Sequence, residues 1–298
     1  MQLKSIILAL ATATGISQAN PISPHQGPTG NGPFTPAYYT TDSSLDGHTL
    51  YLPRDVPQGA KIPVLIWGNG ACSANGLDFL NFLTQIASHG VFVISSGSPG
   101  GRGSTNAQMM TRAIDWVTHS TTKERYSWLE TSRISVSGMS CGGVEAYTAG
   151  VNDNRVTTIG IYNSGLLSGN ESRNVVPKIN KPIFYFMGGP SDIAFNNVGV
   201  FFSNRRGKDT LTRKQGERDY QLLPQSTPTW KGNLDVGHGG TYGDQNGGKF
   251  GVAAVRYYQW TLRGNATAAS FFTNNQEANQ DGWSVESRSL GNLRVSPI

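Results

Sequence analysis

The sequence of 298 residues predicts an α/β protein, a mostly parallel central sheet with helices on both faces. Two observations carry that expectation. Short, nearly continuous apolar runs alternate with amphipathic stretches along the chain, as they do where crossover helices cover both sides of parallel strands. The composition agrees, because 37% hydrophobic and only 14% charged residues describe a chain that can bury a large core rather than a disordered one. The 37 glycines supply many tight turns, and the length suits one large domain, expected over residues 48–298.

The elements follow in order. Lys4, the apolar run from Ser5 to Thr14 and the small residues Ser17 and Ala19 read as a signal peptide over residues 1–19, cleaved before Asn20. The run is too short to span a bilayer, so the expectation is a secreted, extracellular protein without a membrane partner. Residues 20–47 mix Pro, Gly, Ser and Thr without a period and read as an extended N-terminal segment. Strands are then expected at Leu50–Leu52, Ile62–Trp67, Val91–Ile94, Ile134–Val136, Val156–Tyr162, Ile183–Met187 and in a run leading to Gly237. Between them, Phe79, Phe82, Leu83 and Ile86 mark one face of a helix, and Met110, Ala113, Ile114 and Val117 mark a second. A last clear helix over residues 250–262 carries Val255, Tyr258 and Leu262 on one side.

Charge excludes one class of partner. Basic residues outnumber acidic ones only 24 to 19, for a net charge of +5, too little for nucleic-acid binding without a focused patch. Arg205, Arg206, Lys208, Arg213, Lys214 and Arg218 do cluster, but Asp209, Glu217 and Asp219 are interleaved, so the stretch reads as a solvated surface excursion, with an acidic partner as the alternative. Export makes the two cysteines informative: Cys72 and Cys141 are an even number in an oxidising compartment, which favours one disulfide. Asn170-Glu-Ser and Asn265-Ala-Thr are glycosylation sequons.

The chemistry is concentrated in Ile134-Ser-Val-Ser-Gly-Met-Ser-Cys-Gly-Gly143, where an apolar strand runs into G-x-S-x-G and then a helical stretch, Val144 to Ala149. A turn this tight needs small residues two before and two after an exposed nucleophile, which would then lie at the helix N-terminus. Cys141 is a rival nucleophile, but centring the turn on it would put Met139 where there is no room. Centring on Ser140 puts Gly138 there, leaving Cys141 to offer its backbone N–H to an oxyanion.

A serine hydroxyl needs a base, and position selects among the five histidines. His25 and His48 precede the core; His89 and His119 end helices at the edge of the sheet opposite the strands' carboxyl ends, where function collects. His238, in Val236-Gly-His-Gly-Gly240, remains. The third member should be a carboxylate between Ser140 and His238 that follows a late strand. Asp192, after Ile183–Met187 and the turn Gly188-Gly-Pro-Ser191, fits; Asp235 is the rival, three residues before the histidine. A second oxyanion donor is expected from the loop Gly68-Asn-Gly-Ala-Cys72, with Asn69 the first choice. That loop lacks the lysine of a phosphate loop, and the histidines lack metal-ligand spacing, so neither metal nor cofactor is expected.

With Ser140, Asp192 and His238 in that order, the chain resembles the α/β-hydrolase superfamily from about Lys61 to Gly264. More narrowly it resembles the secreted microbial dienelactone-hydrolase-like and polyester-hydrolase (cutinase-like) serine esterases. Trp67-Gly-Asn-Gly70, Ile86-Ala-Ser-His-Gly90, Gly138-Met-Ser-Cys-Gly-Gly143, Gly188-Gly-Pro-Ser-Asp192 and Gly237-His-Gly-Gly-Thr241 carry the likeness. Dienelactone hydrolases proper use Cys where this chain has Ser140, and the paired C-terminal cysteines of some polyester hydrolases have no counterpart here. The resemblance implies an α/β-hydrolase fold and a secreted serine hydrolase acting on a small-molecule or polymeric ester through an acyl-enzyme. A serine peptidase, or an inactive binding protein on the same scaffold, are the alternatives. It also implies that the strands ending at Trp67 and Gly138 are neighbours, which would bring Cys72 and Cys141 within disulfide reach.

Overall fold

Runs rich in Val, Ile and aromatic residues form one nine-stranded sheet in the computed structural model, which describes residues 27–194 and 215–298. The expected signal peptide, and Arg205, Arg206, Lys208, Arg213 and Lys214 of the basic cluster, lie outside those residues. The strands are β1 (Ala37–Thr40), β2 (His48–Pro53), β3 (Ile62–Gly68), β4 (Phe92–Ser96), β5 (Leu129–Met139), β6 (Val156–Tyr162), β7 (Ile183–Met187), β8 (Thr229–Asn233) and β9 (Ser284–Arg288). Their order across the sheet is β1-β2-β4-β3-β5-β6-β7-β8-β9. From β4 to β8 all neighbours run parallel, whereas β1, β2 and β9 join antiparallel. The carboxyl ends of β3, β5, β6, β7 and β8 therefore share one edge.

Alternation along each central strand feeds two separate cores. Leu65, Trp67, Phe184 and Phe186 point to one side; Val64, Ile66, Ile183, Tyr185 and Met187 point to the other. The helices α1 (Leu80–Ser88), α2 (Ala107–Thr118), α3 (Ser120–Arg125), α4 (Cys141–Gly150), α5 (Gly169–Val175), α6 (Gln215–Leu222), α7 (Gly248–Thr261), α8 (Ala266–Thr273) and α9 (Gln276–Gln280) cover both. Phe82, Leu83 and Ile86 of α1 pack with Phe250 and Tyr257 of α7 and Phe271 and Phe272 of α8 on the first face. Met110, Ala113, Ile114 and Val117 of α2 pack with Ala146 and Tyr147 of α4 and Tyr220 of α6 on the second. No helix among the described residues is long and apolar enough to cross a membrane.

The structure departs from the sequence reading at the sheet edges. Ala37–Thr40, within the stretch read as an extended lead-in, pairs with Leu50–Pro53, so the sheet begins before residue 48. Strand β9 has no apolar period and is mostly exposed; its existence rests on the hydrogen-bonding edge that β8 offers it. Strand β8 stops at Asn233, four residues short of Gly237, because the chain there turns to bond the exit of β7. The sequence pattern does not mark the short helices α3, α5, α6, α8 and α9.

Candidate active site

The tight turn between β5 and α4 places Ser140 at φ 53°, ψ −116°, a conformation costly for any residue with a Cβ. The surroundings hold it there. The Ser140 N–H donates to the Tyr162 carbonyl (3.0 Å), and its own carbonyl accepts from the Gly143 N–H (3.0 Å) and the Ser164 hydroxyl (2.6 Å). The glycines are required by contact: a Cβ on Gly138 would lie 2.3 Å from the Gly142 carbonyl carbon, and one on Gly142 would lie 2.1 Å from that of Gly68. Three backbone segments thus meet under the serine, which is why only G-x-S-x-G fits this turn.

His238 reaches across this turn. Its Nε2 lies 3.0 Å from Ser140 Oγ and its Nδ1 2.7 Å from Asp192 Oδ1. The histidine loop is attached to the aspartate loop, since the Val236 and Gly237 N–H groups both donate to the Gly188 carbonyl (3.1 and 2.8 Å). A Cβ on Gly188 would fall 2.0 Å from the Gly237 oxygen, so the close approach needs glycine there. Asp192 is fully buried and accepts four hydrogen bonds. Oδ1 takes His238 Nδ1 and the Ala194 N–H (2.9 Å), and Oδ2 takes Asn163 Nδ2 and the Gly188 N–H (both 2.8 Å). Burial opposes ionisation, but these bonds outweigh it and hold the carboxyl below its ordinary range. Asp235, the rival, is exposed, and among the described residues its side chain accepts a hydrogen bond from the Ser191 hydroxyl at 3.4 Å and none from His238.

Protein-family models and curated proteins were compared with this chain. None matches.

Asn163 is a site residue that sequence reasoning missed. It is buried, adopts φ 43°, and sits directly after β6. Its Oδ1 accepts the Tyr242 hydroxyl, which burial, followed by the nearby Asp192 charge, pushes well above the ordinary tyrosine range. Tyr242 therefore stays a donor, and the Asn163 amide must turn its NH₂ to Asp192. The available signal was position at the carboxyl end of a parallel strand, the same rule that singled out Asp192.

On the other side of Ser140, Cys72 and Cys141 are bonded as a disulfide with Cα atoms 5.1 Å apart, joining the loop after β3 to the first residue of α4. The Asn69 carbonyl accepts the Gly142 N–H (3.0 Å), a second tie between the same segments. Asn69, expected to offer the second oxyanion N–H, is fully buried, so its main chain is closed to a substrate, and its side chain donates to the Ser73, Asn75 and Ser96 carbonyls (3.0, 3.0 and 2.7 Å); the accessible residues of this loop are Gly70, Ala71 and Cys72. In the first turn of α4 the Gly142, Gly143 and Val144 amides have protein acceptors, whereas the Cys141 N–H has none among the described residues. Thr105 steadies the loop further, donating its N–H to the Cys72 carbonyl (2.7 Å) and its hydroxyl to buried Glu145 (2.8 Å), whose carboxyl burial pushes up.

The remaining histidines stand apart. His48 is buried with its ring nitrogens 3.0 Å from the Asp46 and Met109 carbonyls, and burial lowers its pKa. His89 follows α1 beside Gln85, and His119 caps α3; His25 lies outside the described residues. Both sequon asparagines are exposed, Asn170 in α5 and Asn265 as the cap of α8 through the Ala268 N–H (3.1 Å). Arg218, the described member of the basic cluster, points inward to Ser172 Oγ (2.9 Å) and the Leu166 carbonyl. Among the described residues no three His, Cys, Asp or Glu side chains are grouped to hold a metal ion.

A hydroxyl on a strained turn, an imidazole within proton-transfer distance and a buried carboxylate behind it can activate an oxygen nucleophile.

Proposed function

We propose that this protein is a serine hydrolase of the α/β-hydrolase type that cleaves carboxylic esters through an acyl-enzyme. The observation that carries the reading is the hydrogen-bonded series from Ser140 Oγ through His238 to Asp192, at 3.0 and 2.7 Å. Ser140 Oγ attacks the ester carbonyl carbon while His238 Nε2 takes its proton, and Asp192 keeps the imidazole oriented and stabilises its charged form. The carbonyl oxygen, now negative, takes the Cys141 N–H and a second N–H from the accessible part of the loop after β3, Gly70 to Cys72, because Asn69 is fully buried. The carbon–oxygen bond to the alcohol then breaks, and Nε2 returns the proton to the departing oxygen. Water adds to the acyl-enzyme, passing a proton to Nε2; that proton goes back to Ser140 Oγ as the acid leaves.

The chain order Ser140, Asp192, His238, shared with the secreted dienelactone-hydrolase-like and polyester-hydrolase-like esterases it resembles, supports the same reading. The apolar N-terminal segment and the disulfide support an exported protein. A fluorophosphonate probe should label the protein and fail to label Ser140→Ala. Ser140→Ala and His238→Ala should each cut p-nitrophenyl ester turnover by roughly three or more orders of magnitude with the fold intact. An unlabelled wild-type protein would mean an inactive scaffold, and preferential cleavage of a peptide anilide would mean a peptidase.

A further inference from the structure

Among the described residues five large aliphatic side chains are exposed, and three of them, Leu167, Ile193 and Val236 (64, 55 and 40% exposed), stand on the loops leaving β6, β7 and β8. Those strands are adjacent, so their exit loops lie side by side at the sheet edge where Ser140, Asp192 and His238 meet. Single exposed aliphatics are ordinary on a protein surface; here three stand on neighbouring loops, two of which carry Asp192 and His238.

Each is held outward by a fixed backbone. Leu166 is buried, with its N–H on Asp219 Oδ2 (2.6 Å) and its carbonyl accepting from Arg218, so the next side chain, Leu167, faces solvent. Ile193 lies between buried Asp192 and buried Ala194, whose N–H is bonded to Asp192 Oδ1 (2.9 Å). The Val236 N–H is bonded to the Gly188 carbonyl (3.1 Å), two residues before His238. For Ile193 and Val236 these are the same bonds that set the site, and for Leu167 they are those of buried Asp219 and Arg218.

The side on which they stand identifies what they touch. This step rests on the ester-hydrolase reading. The carbonyl oxygen turns toward Cys141 and the loop after β3. His238 Nε2 must deliver a proton to the departing oxygen, so the alcohol lies on the side of His238, which is the side of β6, β7 and β8. We propose that Leu167, Ile193 and Val236 form an apolar rim that binds the alcohol portion of the substrate, and that the protein selects esters of hydrophobic alcohols over esters of small ones.

The test uses the full chain as secreted, with alkyl acetates from methyl to hexyl and p-nitrophenyl esters from acetyl to hexanoyl. Covering each added methylene about halfway gives about twofold, so wild-type kcat/KM should rise ~30-fold from methyl to hexyl acetate. In Leu167→Ser/Ile193→Ser/Val236→Ser the rise should shrink to about threefold or less, with the acyl-chain dependence unchanged and the melting temperature preserved. Ile298→Ser, which removes an exposed aliphatic bonded through its backbone to Arg263 away from the site, should change neither series. A flat alcohol series in the wild type, an unaltered slope in the triple variant, or a change confined to the acyl series would overturn the rim. Fluorophosphonate labelling separates the two levels: a labelled protein with a flat alcohol series refutes the rim alone, whereas an unlabelled protein that turns over no ester refutes both.

Discussion

Replacing Asp192 by Asn changes one atom in a site where every neighbour is a donor. Oδ1 accepts from His238 Nδ1 and the Ala194 N–H, and Oδ2 from Asn163 Nδ2 and the Gly188 N–H. An amide has one oxygen, so in either orientation its NH₂ confronts two of these donors. With the NH₂ toward Oδ1, His238 must accept at Nδ1 and carry its proton on Nε2, which removes the base from Ser140. With the NH₂ toward Oδ2, Asn163 and Gly188 lose their acceptor, and the imidazolium loses its counter-charge in both cases. Turnover of a p-nitrophenyl ester should fall about four orders of magnitude. The first orientation leaves the Ala194 N–H without an acceptor and the second leaves two donors so, which at about 1–3 kcal/mol each should lower stability by about 1–6 kcal/mol in denaturant titration. Asp235→Asn, on an exposed residue whose contact is the Ser191 hydroxyl at 3.4 Å, should leave both quantities near wild type. If Asp235→Asn proved crippling, or if Asp192→Asn kept more than about a tenth of wild-type turnover, the assignment of the acid would be wrong.

Three further outcomes follow from the geometry. Gly142→Ala puts a Cβ 2.1 Å from the Gly68 backbone and should cost about 3 kcal/mol or more together with the activity, whereas Gly239→Ala, with nothing within 4 Å, should be close to neutral in thermal denaturation. The Cys72–Cys141 bond spans 69 residues of sequence, so Cys72→Ala/Cys141→Ala should lose roughly 2–4 kcal/mol and much of the turnover, since the bond joins the serine turn to the loop after β3; a double variant as stable and active as wild type would contradict this. Burial opposes ionisation of Asp42, but hydrogen bonds from Ser44, Arg125 and Tyr126 outweigh it and hold the carboxyl at about 2 against an ordinary 3.8. A lowered carboxyl pKa contributes stability that is fully present above the ordinary value and lost as pH falls toward the folded one. Asp42→Asn should therefore flatten the loss of melting temperature between pH 4 and 2 and cost about 1 kcal/mol at neutral pH, after allowing for solvent screening at half-exposed Arg125.

What the sequence determined by itself was local. Gly138, Ser140 and Gly142 sit within one turn, and the steric demands of that turn are met or failed by contiguous residues, so the serine turn is legible in the sequence alone. The strand–helix alternation is equally local, because apolar period and run length decide which face an element buries. Asp192 and His238 were reachable because each comes just after a strand, and parallel strands deliver such residues to a shared edge. The edge strands Ala37–Thr40 and Ser284–Arg288 were not legible, since their stability comes from a partner strand's hydrogen bonds rather than from their own side-chain pattern. Asn163 and Tyr242 are 79 residues apart and have no common motif; only packing makes one orient the other toward Asp192. The number of cysteines suggested a bond and the resemblance implied neighbouring strands; the physical reason that the bond ties the serine turn to the loop after β3 is that β3 and β5 lie side by side in the sheet. Local stereochemistry is written in adjacent residues, whereas the partners of buried donors and acceptors are settled by which distant segments the core brings together.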